Sequence, residues 1–131
     1  YKNPVETYEV NFNGTLNLLE AIRHSQTVKS AVLVTTDKCY EEDKNLKYYI
    51  ETSKLGGSEP YSSSKACAEI ISKSYAGLYK KQNKKIITLR AGNVIGGGDW
   101  KKDRLIPDLI RSHFLKKQLF ITTSENMDLV L

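Results

Sequence analysis

"SAVLVTT", residues 30–36, is the stretch on which the reading of the fold turns. It is short, apolar and rich in β-branched residues, the pattern of a strand buried in a parallel sheet. A parallel strand needs a crossover, so the flanks should be helical. Upstream, Asn3-Pro4 opens a segment where Val10, Leu16, Leu18, Leu19 and Ile22 recur at roughly helical spacing. That spacing predicts a helix over about residues 4–25, with Gly14 inside it as a candidate point of close packing. Downstream, "DKCYEEDKNLKYYIETSKLGG", residues 37–57, has no sustained period and reads as a long loop. Loops of that length in compact domains are usually functional.

A second helix is expected from about Pro60 to Lys80, with Ser58 as its cap and Pro60 early in its first turn. Ala66, Ile70, Ile71, Tyr75 and Leu78 supply its apolar stripe. "KKIITLRAGNVIG", residues 84–96, reads as a second buried strand entering a glycine loop, Gly96 to Gly98. "DRLIPDLIRSHFLKK", residues 103–117, predicts a turn and a short helix with a break at Pro107. Helix, strand, helix, strand, helix is the order of a right-handed α/β unit with parallel strands.

Composition narrows the function classes. The 131 residues carry 20 Lys and Arg against 15 Asp and Glu, a formal charge of +5. The basic residues are scattered and form no tract interleaved with aromatics. This favours a solvated surface with one anionic ligand over a nucleic-acid partner. Cys39 and Cys67 lie far apart, and His24 and His113 stand singly, so the reading is two reduced thiols and no metal site. No apolar run approaches the ~20 residues of a membrane span.

Chemistry concentrates in "SEPYSSSKACAE", residues 58–69. Tyr61 and Lys65 are four apart, so on a helix they share a face and can converge on one ligand. A phenol titrates near ~10, and bringing one to ~7 takes about 4 kcal/mol. One ammonium ~4 Å away supplies roughly that at an effective dielectric of ~20. The pair can therefore serve as a general base at neutral pH. On spacing alone, a surface Tyr and Lys that happen to lie four apart is the commoner reading.

The context of the pair resembles the extended short-chain dehydrogenase/reductase family, the NAD-dependent epimerases and dehydratases. The matching pieces are "NFNGTLNLLEA", a strand ending Thr35-Thr36-Asp37, the Tyr-x-x-x-Lys helix, and a strand and loop beginning at Arg90. Within the family, "TTDKCYE", "LGGSEPYSSSKACAE" and "RAGNVIGGGDWKKDRLIPD" are most similar to the branch that dehydrates CDP-glucose.

The resemblance implies a Rossmann-like doubly wound parallel sheet, of which this chain holds the second half. It also implies NAD as cofactor, a nucleotide sugar as substrate, a cytoplasmic homodimer as the whole enzyme, and no nucleic-acid or membrane partner. Carried over by position, Tyr61 takes the 4-hydroxyl proton with Thr36 beside it, and Lys65 holds the nicotinamide ribose. Thr35 joins Tyr61 and Lys65 at the cofactor, and Asp37 is the acid for the departing 6-hydroxyl. Lys38 stands where relatives carry a glutamate; base at C5 and electrostatic support are both open. Asn93 and Arg104 are the expected substrate contacts, and Trp100 a packing residue.

The chain departs from the family pattern in lacking the G-x-x-G-x-x-G turn that seats a dinucleotide pyrophosphate. Residues 1–117 are expected to be the central part of the family domain, and 118–131 a tail that does not resemble it. By itself the chain is expected to be marginally stable and inactive, with open strand edges. A second member of the enzyme class, another sugar-nucleotide dehydratase or epimerase, and a non-catalytic remnant or basic binding module stand as alternatives.

Overall fold

A computed structural model describes residues 3–101 and 104–116. The chain divides into two units between Gly92 and Asn93. The first unit opens with helix α1, Pro4–Tyr8, which widens into a π-helical segment at Glu9–Asn13 and resumes as α2, Gly14–His24. Strand β1 spans Ser30–Thr36 and ends in a 3-10 turn at Asp37–Cys39. Helix α3 spans Pro60–Lys80, and strand β2 spans Lys85–Ala91. The second unit contains α4, Leu105–Leu115. The parallel α/β unit expected from the sequence is therefore present.

β1 and β2 pair in parallel with Ser30 opposite Lys85 and Thr36 opposite Ala91. This register puts Ala31 beside Ile86, Leu33 beside Thr88 and Thr35 beside Arg90, all on the face that α2 and α3 cover. Leu19, Ile22, Leu33 and Tyr79 form the buried apolar cluster there. The opposite face carries Val32, Val34, Ile87 and Leu89, each more than half exposed. An uninterrupted apolar strand suggests burial on both faces; in this unit one face is covered.

Polar groups lock the far end of the core. The Tyr79 hydroxyl donates to the Leu19 carbonyl. The buried Lys84 ammonium donates to the carbonyl oxygens of Ile22 (2.6 Å), Arg23 (3.2 Å) and Ser25 (2.6 Å). These lie where α2 ends, the Ile22 carbonyl also accepting from the Ser25 N–H (3.2 Å), and a cation is favoured at such a terminus.

Several sequence expectations shift. The α3 cap is Glu59 rather than Ser58: its carboxylate accepts from the Tyr61 N–H (2.8 Å) and the Ser62 N–H (2.7 Å). The buried row of α3 is Ser62, Ser64, Ala66, Ala68, Glu69, Ser72 and Tyr79, while Ile70 and Leu78 face outward. Pro107 does not break α4. It is the third residue of that helix, where a proline's missing N–H would have no helical acceptor anyway. Gly14 is not a point of close packing, since an added Cβ would meet only the Glu9 carbonyl oxygen, at 3.9 Å. Trp100 is exposed rather than packed. The tail at 118–131 lies outside the described residues.

Candidate active site

The carboxyl end of a parallel sheet is where strand ends and helix starts leave a crevice. At that end β1 delivers Thr36, and its hydroxyl organises the turn that follows. Thr36 Oγ1 accepts from the Lys38 N–H (3.3 Å) and donates to Asp37 Oδ1 (3.1 Å). Thr36 is buried, while Asp37 and Lys38 are exposed, so the turn presents both charged side chains to solvent from a fixed base.

The loop after this turn comes back to the start of α3. Tyr40 bridges to Leu55, and the Gly56 N–H donates to the Cys39 carbonyl (2.9 Å). Gly57 then lies on the first turn of α3. A Cβ there would come within 2.4 Å of the Ser63 nitrogen and 2.6 Å of the Ser62 carbonyl carbon. The φ of Gly57 is +155°, which side-chain-bearing residues rarely adopt. Through Cys39, Gly56 and Gly57, the turn holding Asp37 and Lys38 is tied to the turn holding Tyr61. Both Tyr61 and Lys65 are half-buried.

A second tie comes from the π-helical segment. Asn11 Nδ2 donates to Ser64 Oγ (3.1 Å), and Ser64 Oγ donates to the Tyr61 carbonyl (2.8 Å). The Asn11 carbonyl in turn accepts from Thr15 Oγ1 (2.6 Å), a bond from the first turn of α2 back to the widened turn. π-helical turns recur at functional sites, and this one brings Asn11 to the fully buried Ser64.

The other expected residues are placed as follows. The buried Thr35 hydroxyl is turned into the protein, donating to Glu69 Oε1 and, at 3.3 Å, to the Leu89 carbonyl. Asn93 and Arg104 belong to the second unit, where both are exposed.

Sequence reasoning missed the charged pair beneath the site. Glu69 Oε2 accepts from Arg90 Nη2 (3.0 Å) and from the Thr88 hydroxyl (3.0 Å). Burial would push the Glu69 carboxyl up, but Arg90 and the two threonine hydroxyls outweigh it and hold Glu69 below the usual range. Arg90 also donates to the Glu51 carbonyl (3.1 Å) and sits 4.8 Å from the centre of the Tyr40 ring, which stacks on Tyr49. Burial alone would lower the Arg90 guanidinium, and its bonds to Glu69 and Tyr40 raise it instead. The available signals were Glu69 at helical spacing from Lys65 and an arginine inside an apolar strand. Beside them, burial raises the Cys39 thiol, and both cysteines are free.

A parallel sheet whose carboxyl end gathers Thr36, Asp37 and a Tyr-x-x-x-Lys helix defines a dinucleotide-dependent α/β class, and residues 1–130 match the model of the NAD dependent epimerase/dehydratase family. The chain belongs to that family. It is 42% identical over 127 residues to CDP-glucose 4,6-dehydratase of Salmonella typhimurium, covering 92% of this chain and 35% of that protein. It is 37% identical over 98 residues to UDP-glucose 4-epimerase of Erwinia amylovora, covering 72% and 27% respectively. Among solved structures, dTDP-glucose 4,6-dehydratase from Bacillus anthracis in complex with NAD superposes with a TM-score of 0.71. The identity there is 32%, over 86% of this chain and 34% of that one. The chain thus spans about a third of the length of these relatives.

Proposed function

We propose that this chain is the central catalytic segment of a CDP-glucose 4,6-dehydratase, converting CDP-glucose to CDP-4-dehydro-6-deoxyglucose and water. The observation that carries the reading is the tie between two turns at the carboxyl end of the sheet. One turn presents Asp37 and Lys38 and the other Tyr61, with the buried Thr36 beneath. The 42% identity favours CDP-glucose over other nucleotide sugars.

In this reading Tyr61 accepts the proton of the sugar's 4-hydroxyl, with Lys65 one turn along the same helix. Thr36, held by its bond to Asp37, shares the hydrogen bonding of that hydroxyl. Once C4 is oxidised to a ketone the C5 proton is acidic, and Lys38, exposed beside Asp37, takes it up as the base. The 6-hydroxyl then leaves as water with a proton supplied by Asp37. A phenol and an ammonium at the strand ends suit the vicinal hydroxyls of a nicotinamide ribose, so Tyr61 and Lys65 are the residues that would hold NAD. When bound, NAD supplies a hydride acceptor and donor, which makes the reaction redox-neutral overall.

The test uses the polypeptide that carries this segment at its natural length, incubated in turn with CDP-, dTDP- and UDP-glucose. NMR of the product should show a C6 methyl group, with CDP-glucose the preferred substrate. Tyr61→Phe should lower kcat by at least ~10²-fold, the usual worth of a positioned acid or base. A product that keeps oxygen on C6 would assign the chain to an epimerase instead.

A further inference from the structure

The apolar core grips α3 at one end only. Its α3 members are Ile71, Tyr75 and Tyr79, all in the carboxyl half of the helix. In the half that carries Tyr61 and Lys65, the buried residues are Ser62, Ser64, Ala66, Ala68 and Glu69. These bury little apolar area, so the hydrophobic effect does little to orient this half. Its attachments are polar instead. Ser64 reaches back to Asn11, and Glu69 reaches the sheet. Glu69 engages both strands at once, Thr35 on β1 and Thr88 and Arg90 on β2. Arg90 extends the brace into the loop through Glu51 and the Tyr40 ring.

We infer that Glu69 is a positioning residue for the Tyr61–Lys65 pair, setting the rotation of α3 about its axis through its bonds to Thr35, Thr88 and Arg90. That Tyr61 and Lys65 are what it aims for catalysis rests on the dehydration reading above; the brace itself does not. Lys65 lies four residues before Glu69 and Tyr61 eight, on adjoining sides of the same helix. A ~10° turn of a helix moves a side-chain tip by ~1 Å. A misplacement of ~1 Å can cost ~10²-fold in rate.

The experiment compares Glu69→Gln, Thr88→Val, Thr88→Ser and Lys84→Met in the natural-length polypeptide. Glu69→Gln should lower kcat ten- to a hundredfold while KM for the nucleotide sugar stays within about threefold, because the pair acts on the reacting hydroxyl rather than on the nucleotide. Thr88→Val, the milder change, should lower kcat severalfold, and Thr88→Ser, which keeps the hydroxyl, should restore it. Lys84→Met loses stability at the far end of the core and should keep wild-type kcat wherever it is folded. Amide hydrogen exchange supplies a readout that needs no turnover: residues 61–65 should exchange faster in Glu69→Gln and at the wild-type rate in Lys84→Met. Unchanged exchange at 61–65 in Glu69→Gln overturns the inference, as does a kcat loss no larger than that of Lys84→Met. If the wild type turns over no nucleotide sugar, the dehydration reading fails and the exchange result alone decides the role of Glu69.

Discussion

Replacing Lys84 by methionine removes an ammonium and keeps most of its length, so the loss can be traced to three hydrogen bonds. Two are short, to the carbonyls of Ile22 and Ser25 at 2.6 Å, and the third, to Arg23, is 3.2 Å. Hydrogen bonds to charged groups contribute about 1.5–3 kcal/mol each, and their effects on one site are not additive. A cation at a partly buried helix terminus is worth up to about 2 kcal/mol. Taking the two short bonds as dominant, Lys84→Met should cost about 3 kcal/mol, since two bonds to a buried ammonium are lost, although the Ile22 carbonyl keeps its 3.2 Å bond from the Ser25 N–H. With a urea dependence of about 2 kcal/mol per molar, the unfolding midpoint should fall by about 1.5 M. Urea unfolding of wild type and variant, followed by far-ultraviolet circular dichroism, measures this directly. A midpoint shift under about 0.3 M at unchanged slope would refute the reasoning, because it would mean that water replaces the ammonium at no cost.

Two further outcomes follow from the same geometry. Gly57→Ala should lose at least about 1–3 kcal/mol of stability, the usual cost of a side chain forced into a rare backbone region, together with much of the turnover, because its Cβ would collide with the backbone under Tyr61. Thermal melts and steady-state kinetics check the two losses, and a variant with wild-type kcat would show that the loop does not fix that turn. Below neutrality, Glu20 is the group to follow: its hydrogen bonds to Arg23 and Tyr75 hold it at about 2 against an ordinary 4.5. A depressed folded value means that its contribution is present above pH 4.5 and lost as pH falls through about 2. Glu69 is also depressed and adds loss in the same acid range. Glu20→Gln should flatten part of that acid slope in melts run between pH 5 and pH 2, and an unchanged slope would assign it all to other carboxyls.

How far the sequence revealed this arrangement differs by element. Helix α3 was legible at both ends because Pro60 marks its first turn and its period is sustained to Lys80. Its facing was legible in part: Ala66, Ile71 and Tyr75 of the expected stripe do pack inward, while Ile70 and Leu78, which periodicity weights equally, point outward. In its amino-terminal half the packed row carries serine, alanine and a glutamate, whose polar members have partners on β1, β2 and the π-helical segment. Such pairings join residues dozens of positions apart, as in Asn11 with Ser64 or Thr35 with Glu69. No local pattern marks them. The cap was misplaced by one residue for a simpler reason: Glu59 is a poor cap by frequency, yet its longer carboxylate reaches two N–H groups at once. Tyr61 and Lys65 stood out by their four-residue spacing, whereas Thr36 and Asp37 were reached only through the family resemblance; the fold ties the turns that carry them together.

The widened turn at Glu9–Asn13 has a consequence for how this chain can change length over evolutionary time. A π turn holds one more residue than an α turn, so α1 and α2 are out of phase by about a third of a turn. Dropping any one residue from this segment would let the helix close into a continuous α form without breaking it. The reading of every side chain before the deletion would then rotate, and Asn11 or its replacement would leave Ser64. Length variation should therefore be tolerated in the exposed loop around Asp43 to Tyr49 and excluded here, although both are surface segments of one chain. A one-residue indel at this place would act as a switch of phase rather than a change of size.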